Sequence, residues 1–314
     1  MRSKYNKMID LNGFKSLIDL IDFFSDEKKC IEYLEYIRWK GNVVSPFDPT
    51  SKVYKCSKGY WCRNTNKVFN VKTGTIFENT KIPLQKWFVS IWLNTSHKKG
   101  ISSLQLAKDI NVTQKTSWFM LQRIRKCFES NNYSTLHNEV EVDETYIGGK
   151  EKNKSPFKEN NTKGKQGRST LVKVPVIGMV ERKGNLVSHI INDVKSSTLT
   201  PAVLNIVDKS SIVYTDEWKG YNTIDKLYNH LFVKHKDNEF VNGRIYTNTI
   251  ENFWGILKRG LLGIYHKVSR KHLQMYIDEF VFRYNTRYKD DSNRFDILLS
   301  NTGRRLRYNE LINM

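Results

Sequence analysis

The sequence contains few cysteines and prolines and has no long apolar run. Of its 314 residues, four are cysteine and six are proline. The cysteines, Cys30, Cys56, Cys62 and Cys127, show no disulfide-like spacing, so we expect free thiols. No apolar run approaches the roughly 20 residues that a bilayer crossing needs, and the N-terminus lacks the apolar core of a signal peptide. These absences predict a soluble cytoplasmic protein without a membrane partner.

Acidic side chains are also scarce relative to basic ones. Lys and Arg number 52 against 32 Asp and Glu, which gives a net charge of +20. The excess lies on both sides of residue 130, so it is not confined to a tail. A polyanion is the natural partner, since neutralised phosphates release condensed counterions. The charge therefore favours nucleic acid and a nucleoid-associated location over a merely basic surface.

The N-terminal part of the chain changes character twice. Residues 1–40 have apolar residues at helical spacing and predict helices. Residues 41–78 contain short β-prone pieces separated by Gly, Pro, Asn and Ser, which is typical of a small β-ribbon module. Residues 79–132 are again helical in pattern.

The segment 79–132 contains the layout of a helix-turn-helix. A short apolar-periodic helix is followed by a tight connection, and Thr113 then caps a second helix whose first residues are polar. In helix-turn-helix proteins those first residues read base edges. A plain helical hairpin is the alternative, but the basic charge favours DNA binding. The predicted DNA contacts are Gln114, Lys115, Ser117, Arg123 and Arg125.

Residues 138–300 alternate strand and helix patterns, which predicts an α/β fold with a mixed sheet. A polar stretch at 150–168, rich in basic residues, is predicted to be a solvated loop that is also able to contact phosphates. Residues 301–314 are predicted to be a C-terminal tail.

Three separated carboxylates stand out in this α/β region. Asp143 and Asp216 are each predicted to end an apolar strand, and Glu251 to lie in the first turn of a helix. Functional groups gather at strand ends and adjoining helix termini in α/β sheets. Clustered carboxylates repel one another unless a cation lies among them, and oxygen ligands favour Mg²⁺ or Mn²⁺. Two such ions support in-line phosphoryl displacement.

Ordinary roles explain each carboxylate taken alone. Asn248 and Glu251 have nearly the spacing of a capping box, and the residues alone favour that role. Asp143 shares its alternating polar face with other acids, and Asp216 precedes a turn signal. Lys258 lies seven residues after Glu251, two helical turns further along the same face, where it could hold a phosphate. With Arg259 beside it, that face could also simply be solvated.

Three longer motifs carry a family resemblance. They read VDETYIGGK, VYTDEWKGY and YTNTIENFWGILKRGLLGIYHKVS, and further similarity extends over roughly residues 24–300. The sequence resembles the DDE transposases of bacterial insertion sequences, in the branch with an ISXO2-like transposase domain, related to Merlin transposons. The motifs are long and occur in the same order, so the resemblance is specific.

The resemblance implies an RNase H-like catalytic domain that binds two divalent ions, Mg²⁺ or Mn²⁺. It implies cutting of double-stranded DNA at terminal inverted repeats and joining of 3′ ends to target DNA, within a homodimer or a higher synaptic complex. By matching motif, Asp143, Asp216 and Glu251 are the expected catalytic metal ligands, and Lys258 positions DNA. Asn248 and Asn252 are reserve candidates for the third ligand.

The N-terminal module departs from the family pattern. The family usually has a zinc ribbon with two CxxC pairs. Here the first pair aligns with Ser45 and Asp48, and the second with Cys62 and Thr65. Since four thiolates cannot be assembled, we expect no structural zinc in a degenerate ribbon. This loss motivates a second hypothesis, a catalytically silent or domesticated DNA-binding protein derived from a transposase. A structure-selective nuclease is a weaker third one.

Overall fold

The computed structural model describes residues 14–148, 173–233 and 243–313. The loop predicted at 150–168 lies outside these residues. Nowhere in these three ranges is a helix both long and apolar enough to cross a membrane.

The chain divides into two compact units. The first combines residues 1–130 with residues 288–314, and the second comprises residues 131–287. Each is described separately below.

The first unit is helical apart from one small sheet. Its helices are α1 (Leu17–Phe23), α2 (Glu27–Trp39), α3 (Leu84–Ser96), α4 (Ser103–Asp109), α5 (Gln114–Lys126), α9 (Asp291–Ser300) and α10 (Tyr308–Ile312). Local capping fixes where several of them begin. The Ser16 hydroxyl accepts from the Asp19 N–H over 3.1 Å, and the Asp19 carboxylate accepts from the Ser16 N–H over 3.0 Å. This is a complete capping box at the start of α1.

The small sheet of the first unit is the β-ribbon that the sequence predicts at 41–78. Its strands are β1 (Val53–Cys56), β2 (Gly59–Cys62) and β3 (Lys67–Phe69), all antiparallel in that order. The ribbon packs on α2 rather than standing apart. Arg38 of α2 donates to the carbonyls of Val71 and Thr73 at 2.7 and 2.8 Å.

Helix α9 belongs to the first unit, so the predicted 138–300 domain differs from the observed division, which falls after residue 287. The ring of Phe295 makes edge contacts with Phe14 and Phe88, with centroids 5.3 and 5.5 Å apart. The Tyr33 hydroxyl donates to Asp296 over 2.7 Å. The apolar face of α9 is therefore buried among aromatic residues some 200 or more positions away in sequence, which local pattern does not reveal.

The second unit is built around a mixed five-stranded sheet. Its strands are β4 (Glu139–Ile147), β5 (Val174–Glu181), β6 (Leu186–Ile190), β7 (Ile212–Asp216) and β8 (Asn229–Val233). They lie in the order β6-β5-β4-β7-β8. Strand β5 runs antiparallel to the other four, and the β4–β7 and β7–β8 pairs are parallel. The predicted α/β fold with a mixed sheet is confirmed.

Helices cover both faces of this sheet. They are α6 (Ser196–Ile206), α7 (Asn248–Gly260) and α8 (Leu273–Asn285), and a π-helical turn, Leu261–Tyr265, follows α7. Val140 and Val142 pack in the core with α6. Because side chains alternate along a strand, Glu141 and Asp143 point to the opposite face, where α7 packs.

Side-chain amides cover the outer edge of β6. Three consecutive outward N–H groups each donate to one amide oxygen at 2.8–2.9 Å: Leu186 to Asn285, Ser188 to Asn132 and Ile190 to Gln274. The amide nitrogens return hydrogen bonds of 2.7–3.1 Å to strand carbonyls. An exposed strand edge is a template for pairing with other chains, and these amides satisfy it internally.

Candidate active site

Asp143 and Asp216 lie on neighbouring parallel strands and face the same side of the sheet. The β4–β7 register pairs Glu141 with Tyr214. Two residues further along each strand are Asp143 and Asp216, the latter being the last residue of β7. The two aspartates that the sequence singles out are therefore neighbours where β7 ends. The prediction that Asp143 ends its strand is wrong, because it is the fifth of the nine residues of β4, which continues along β5 to Ile147.

The environment of Asp143 opposes its ionisation. Burial raises the pKa of the Asp143 carboxyl to about 8, and the negative charges of Glu144 and Asp216 add to the rise. Two hydrogen bonds act in the opposite direction, one from the Glu144 N–H and one from the Trp254 indole. Trp254 Nε1 donates to Asp143 Oδ2 over 3.0 Å. Crowded negative charge of this kind is what a divalent cation would relieve.

Glu251 is not gathered with the two aspartates. It lies exposed in the first turn of α7, and its Oε1 accepts a hydrogen bond from the Thr247 hydroxyl over 3.1 Å. Across residues 14–148, 173–233 and 243–313, no three His, Cys, Asp or Glu side chains form a group able to hold a metal ion. The structure thus brings together two of the three predicted ligands.

The predicted capping box of Asn248 and Glu251 is wrong. Helix α7 starts at Asn248, so Thr247 is the residue at its N-cap, and Asn248 is exposed. The N–H groups of the first turn are instead capped from the sheet. Glu141 Oε2 accepts from the N–H groups of Thr249 and Ile250 at 2.9 and 3.2 Å. A carboxylate from a distant strand replaces the predicted local cap, and Glu251 bonds to the N-cap residue Thr247 instead. Asn252 is exposed as well.

Three side chains of α7 form one stripe beside Asp143. Glu251, Trp254 and Lys258 are spaced by three and four residues and so share a helix face. Burial lowers the pKa of Lys258, and the negative charge of Asp143 opposes that change, which places the ammonium within electrostatic reach of the carboxylate. The role of Lys258 in holding a phosphate stays a prediction, and its side chain is exposed. Arg259, the next residue, is exposed.

Gly178 makes room for the Trp254 ring, and sequence reasoning missed it. Gly178 on β5 is the direct cross-strand partner of Asp143. A β-carbon there would lie 2.6 Å from the indole and 2.8 Å from Ile250 Cδ1. An isolated glycine inside a strand pattern signals close approach by another group, so VPVIGMVE contained the necessary clue.

The turn after β7 holds Asp216 in place. Asp216 Oδ1 accepts from the Trp218 N–H over 2.9 Å, in the manner of an Asx-turn. On the opposite face of the sheet, the buried Tyr221 hydroxyl donates to Glu144 over 2.7 Å. The predicted turn is present. Its hydrogen bond fixes Oδ1 of Asp216 and does not involve Oδ2.

The predicted helix pair of the first unit is present as α4 and α5, with Asn111 in the left-handed region (φ 50°) between them. Thr113 caps α5, accepting from the Thr116 N–H over 3.2 Å. Gln114 and Lys115 are exposed at the start of α5.

Besides Gln114, whose Nε2 donates to the Ser103 hydroxyl over 2.9 Å, three of the predicted DNA contacts are used inside the first unit. Ser117 is fully buried and donates to the Ser103 carbonyl over 2.6 Å. Arg123 donates to the carbonyls of Leu306 and Ile76 at 3.1 and 2.8 Å. Arg125 is also buried. These positions differ from the predicted base-reading role, because the side chains face the core of the unit.

Two of the four ribbon positions that align with zinc ligands, Ser45 and Asp48, form hydrogen bonds within the ribbon. Ser45 Oγ accepts from the N–H groups of Phe47 and Asp48 at 3.1 and 3.3 Å. Asp48 accepts from the Asn64 amide over 2.8 Å.

Cys62 is the one thiol at these positions, and it is fully buried. Burial raises the pKa of Cys62, but hydrogen bonds from the Ser45 and Ser51 hydroxyls and the Thr65 N–H lower it by more, to about 6. Hydroxyl groups thus surround the sulfur where a ribbon would have further thiolates.

Known proteins similar to this chain are transposases and proteins of transposable elements. The family model described as ISXO2-like transposase domain matches residues 135–285. An uncharacterized protein in transposable element ISH50 of Halobacterium salinarum is 30% identical over 277 residues, which cover 84% of this chain and 92% of that protein. An uncharacterized transposase-like protein of Haemophilus influenzae is 32% identical over 97 residues, 31% of this chain and 77% of that protein. The chain belongs to the ISXO2-like transposases of insertion sequences.

Two solved structures show a weaker likeness. The Mos1 strand transfer complex matches with a TM-score of 0.28 and 14% identity over 64% of this chain and 73% of that chain. A pre-cleavage Mos1 transpososome matches with a TM-score of 0.24 and 13% identity over 78% of this chain and 86% of that chain. Likeness at this level adds nothing to the family assignment.

Proposed function

We propose that the protein is a metal-dependent DDE transposase that cuts DNA at terminal inverted repeats and transfers the 3′ ends into target DNA. The observation that carries this proposal is the pair Asp143 and Asp216, which lie side by side on β4 and β7 where β7 ends, near Lys258 of α7. The five-stranded sheet with helices on both faces is compatible with the RNase H-like domain that the resemblance implies.

Asp143 and Asp216 have the donor chemistry for Mg²⁺ or Mn²⁺, since both are carboxylates and their mutual repulsion would be relieved by a cation. Glu251 would complete the set by turning its carboxylate away from Thr247. With two ions bound, the site would polarise the phosphodiester and stabilise both oxygens of an in-line displacement.

Side chains around the acids have complementary tasks. The Trp254 indole keeps Asp143 Oδ2 oriented through its hydrogen bond. The Asp216 turn holds Oδ1 of that residue. Lys258 would bind a phosphate beside the scissile bond, a role that the electrostatic influence of Asp143 on its ammonium supports.

DNA outside the acidic site would be bound by exposed basic and polar residues. We propose Gln114 and Lys115 of α5 for the terminal repeats and Arg259 of α7 for the backbone near the cut. The net charge of +20 supports a polyanionic partner. Because two element ends must be joined, we propose a homodimer or higher synaptic complex.

The test is cleavage of a duplex that carries the element's terminal repeats, with Mg²⁺ or Mn²⁺. Asp143→Asn, Asp216→Asn and Glu251→Gln should each reduce cleavage by about 10³-fold or more. Asp208→Asn is the matched control, since Asp208 is a partly exposed aspartate just before β7, at the opposite end of that strand from Asp216. DNA binding without cleavage under either metal would favour a silent, domesticated protein. Cleavage without joined products would favour a nuclease.

A further inference from the structure

A buried ion pair connects the strand of Asp143 with its neighbours. Arg182 Nε donates to Glu141 Oε1 over 3.0 Å. The Glu141 side chain is 0% exposed and that of Arg182 is 9% exposed. Burying two charges costs free energy that their attraction only partly offsets, so the stability of the fold does not by itself account for this pair.

Glu141 fastens β4 to the start of α7. Its Oε2 accepts from the N–H groups of Thr249 and Ile250, and its Oε1 accepts from the Thr249 hydroxyl over 2.9 Å. A negative charge at a helix N-terminus is favoured by the unpaired N–H groups and the helix dipole. One carboxylate therefore sets the position of the first turn, which carries Glu251.

Arg182 fastens the same assembly to β7 and to the segment that leads into α7. Its guanidinium carbon lies 4.0 Å from the ring centroid of Tyr214 and 3.7 Å from that of Tyr246. It also donates to the carbonyls of Arg244 and Tyr246, each at 2.9 Å. The planar guanidinium serves as stacking surface and donor at once.

Each of the three contacted elements carries one of the three acids, with the same spacing. Glu141 lies two residues before Asp143 on β4, and Tyr214 lies two residues before Asp216 on β7. Thr249 likewise lies two residues before Glu251 on α7. A two-residue separation transmits position directly, because no loop intervenes.

We propose that the Glu141–Arg182 pair aligns the three acids, so that both side chains are positioning residues for the metal site. This inference rests on the proposed function. Neither side chain contacts DNA or a metal in this role. They act by holding β4, β7 and α7 in one register, which fixes how far Glu251 must turn to join the aspartates.

The test measures two Mn²⁺ concentrations. The first gives half-maximal binding to the full chain without DNA, measured by electron paramagnetic resonance, and the second gives half-maximal cleavage. Glu141→Gln should raise both concentrations by about 10-fold or more, the range seen when groups that orient metal ligands are lost. Cleavage should recover at high Mn²⁺. Glu279→Gln is the matched control, because Glu279 is another fully buried glutamate, paired with Arg283 at 2.7 Å but on α8.

A milder variant keeps the inference testable if Glu141→Gln fails to fold. Thr249→Val removes one hydrogen bond to Glu141 and keeps the ion pair, and it should raise both Mn²⁺ concentrations by less. If neither variant raises them above the Glu279→Gln control, the pair is structural only and the inference is overturned. If the wild-type chain neither binds Mn²⁺ nor cleaves, it is the proposed function that fails instead.

Discussion

Gly178 lies directly across the β4–β5 pair from Asp143, and the absence of a side chain there lets the Trp254 indole reach the carboxylate. A β-carbon on Gly178 would approach the ring to 2.6 Å. Glycine is thus required by a neighbouring side chain rather than by its own backbone angles. The consequence is that a residue without functional groups controls the orientation of the proposed metal ligand.

Gly178→Ala should displace Trp254 and weaken its hydrogen bond to Asp143. We expect a loss of about 1–3 kcal/mol in the free energy of unfolding, as for other overpacked cores, and reduced cleavage. Denaturant unfolding and the cleavage assay measure both. Gly263→Ala is the control, since a β-carbon at Gly263 meets nothing within 4 Å. Equal behaviour of the two variants would show that the ring adapts without cost.

The pH dependence of stability should reveal Asp143. In the metal-free protein its folded pKa is about 8, against 3.8 for the ordinary carboxyl. Between these values the folded chain keeps a proton that the unfolded chain releases, so stability falls as the pH rises through this window. The slope is at most about 1.4 kcal/mol per pH unit.

Thermal unfolding with a chelator from pH 5 to pH 8 measures this slope. Asp143→Asn should gain stability relative to the wild type as the pH rises, because its side chain does not ionise. A constant difference between the two proteins across this range would show that Asp143 is not held protonated.

The amide-covered edge of β6 makes a separate prediction. Asn132→Ala would leave the N–H of Ser188 without its acceptor at a buried position. The expected cost is about 1–3 kcal/mol, with a greater tendency to self-associate through the opened edge. Denaturant unfolding and light scattering measure these effects. Asn222→Ala, at an exposed asparagine of the same unit, should stay within about 0.5 kcal/mol of the wild type.

The ribbon should fold without zinc. Ser45, Asp48 and Thr65 stand where thiolates would be needed beside Cys62, and hydrogen bonds already surround the sulfur. We expect no stoichiometric zinc in the purified protein by elemental analysis, and no change in its unfolding temperature with a zinc chelator. One equivalent of tightly held zinc would contradict this.

Lys115 should contribute to DNA affinity through phosphate contact. Lys115→Ala is expected to weaken binding to all duplexes alike and to reduce the slope of log affinity against log salt by about 1. Fluorescence anisotropy at several salt concentrations measures the slope. Lys195→Ala, at the exposed residue before α6, controls for the loss of any one positive charge. An identical slope change there would remove α5 from the proposed interface.

Much of the second unit was predictable from local pattern. Val140 and Val142 alternate with acids, and the run before Asp216 is apolar, so both strands and the position of Asp216 at the end of β7 followed from side-chain periodicity. The continuation of β4 beyond Asp143 did not follow, because it depends on pairing with β5. The motifs around Asp143, Asp216 and Glu251 also indicated the transposase family, which the comparisons confirm.

The tertiary structure decided matters that depend on partners distant in sequence. Ser117 and Arg123 resemble exposed DNA contacts in the helical pattern, yet they bond to carbonyls inside the first unit. Asn248 and Glu251 have nearly the spacing of a capping box. The N–H groups at the start of α7 are instead capped by Glu141, which lies 108 or more residues earlier in the chain. Helical spacing fixes which residues share a face, but it does not say what that face meets.

The sequence by itself determined the strands that carry the two aspartates and the family, because these depend on short-range periodicity and contiguous motifs. Only the tertiary structure decided that two aspartates are neighbours while Glu251 bonds to Thr247, and that Glu141 and Arg182 connect the three elements. Such contacts depend on how separate elements pack. A charge is buried only where packing brings an oppositely charged or hydrogen-bonding partner that offsets the cost of removing it from water.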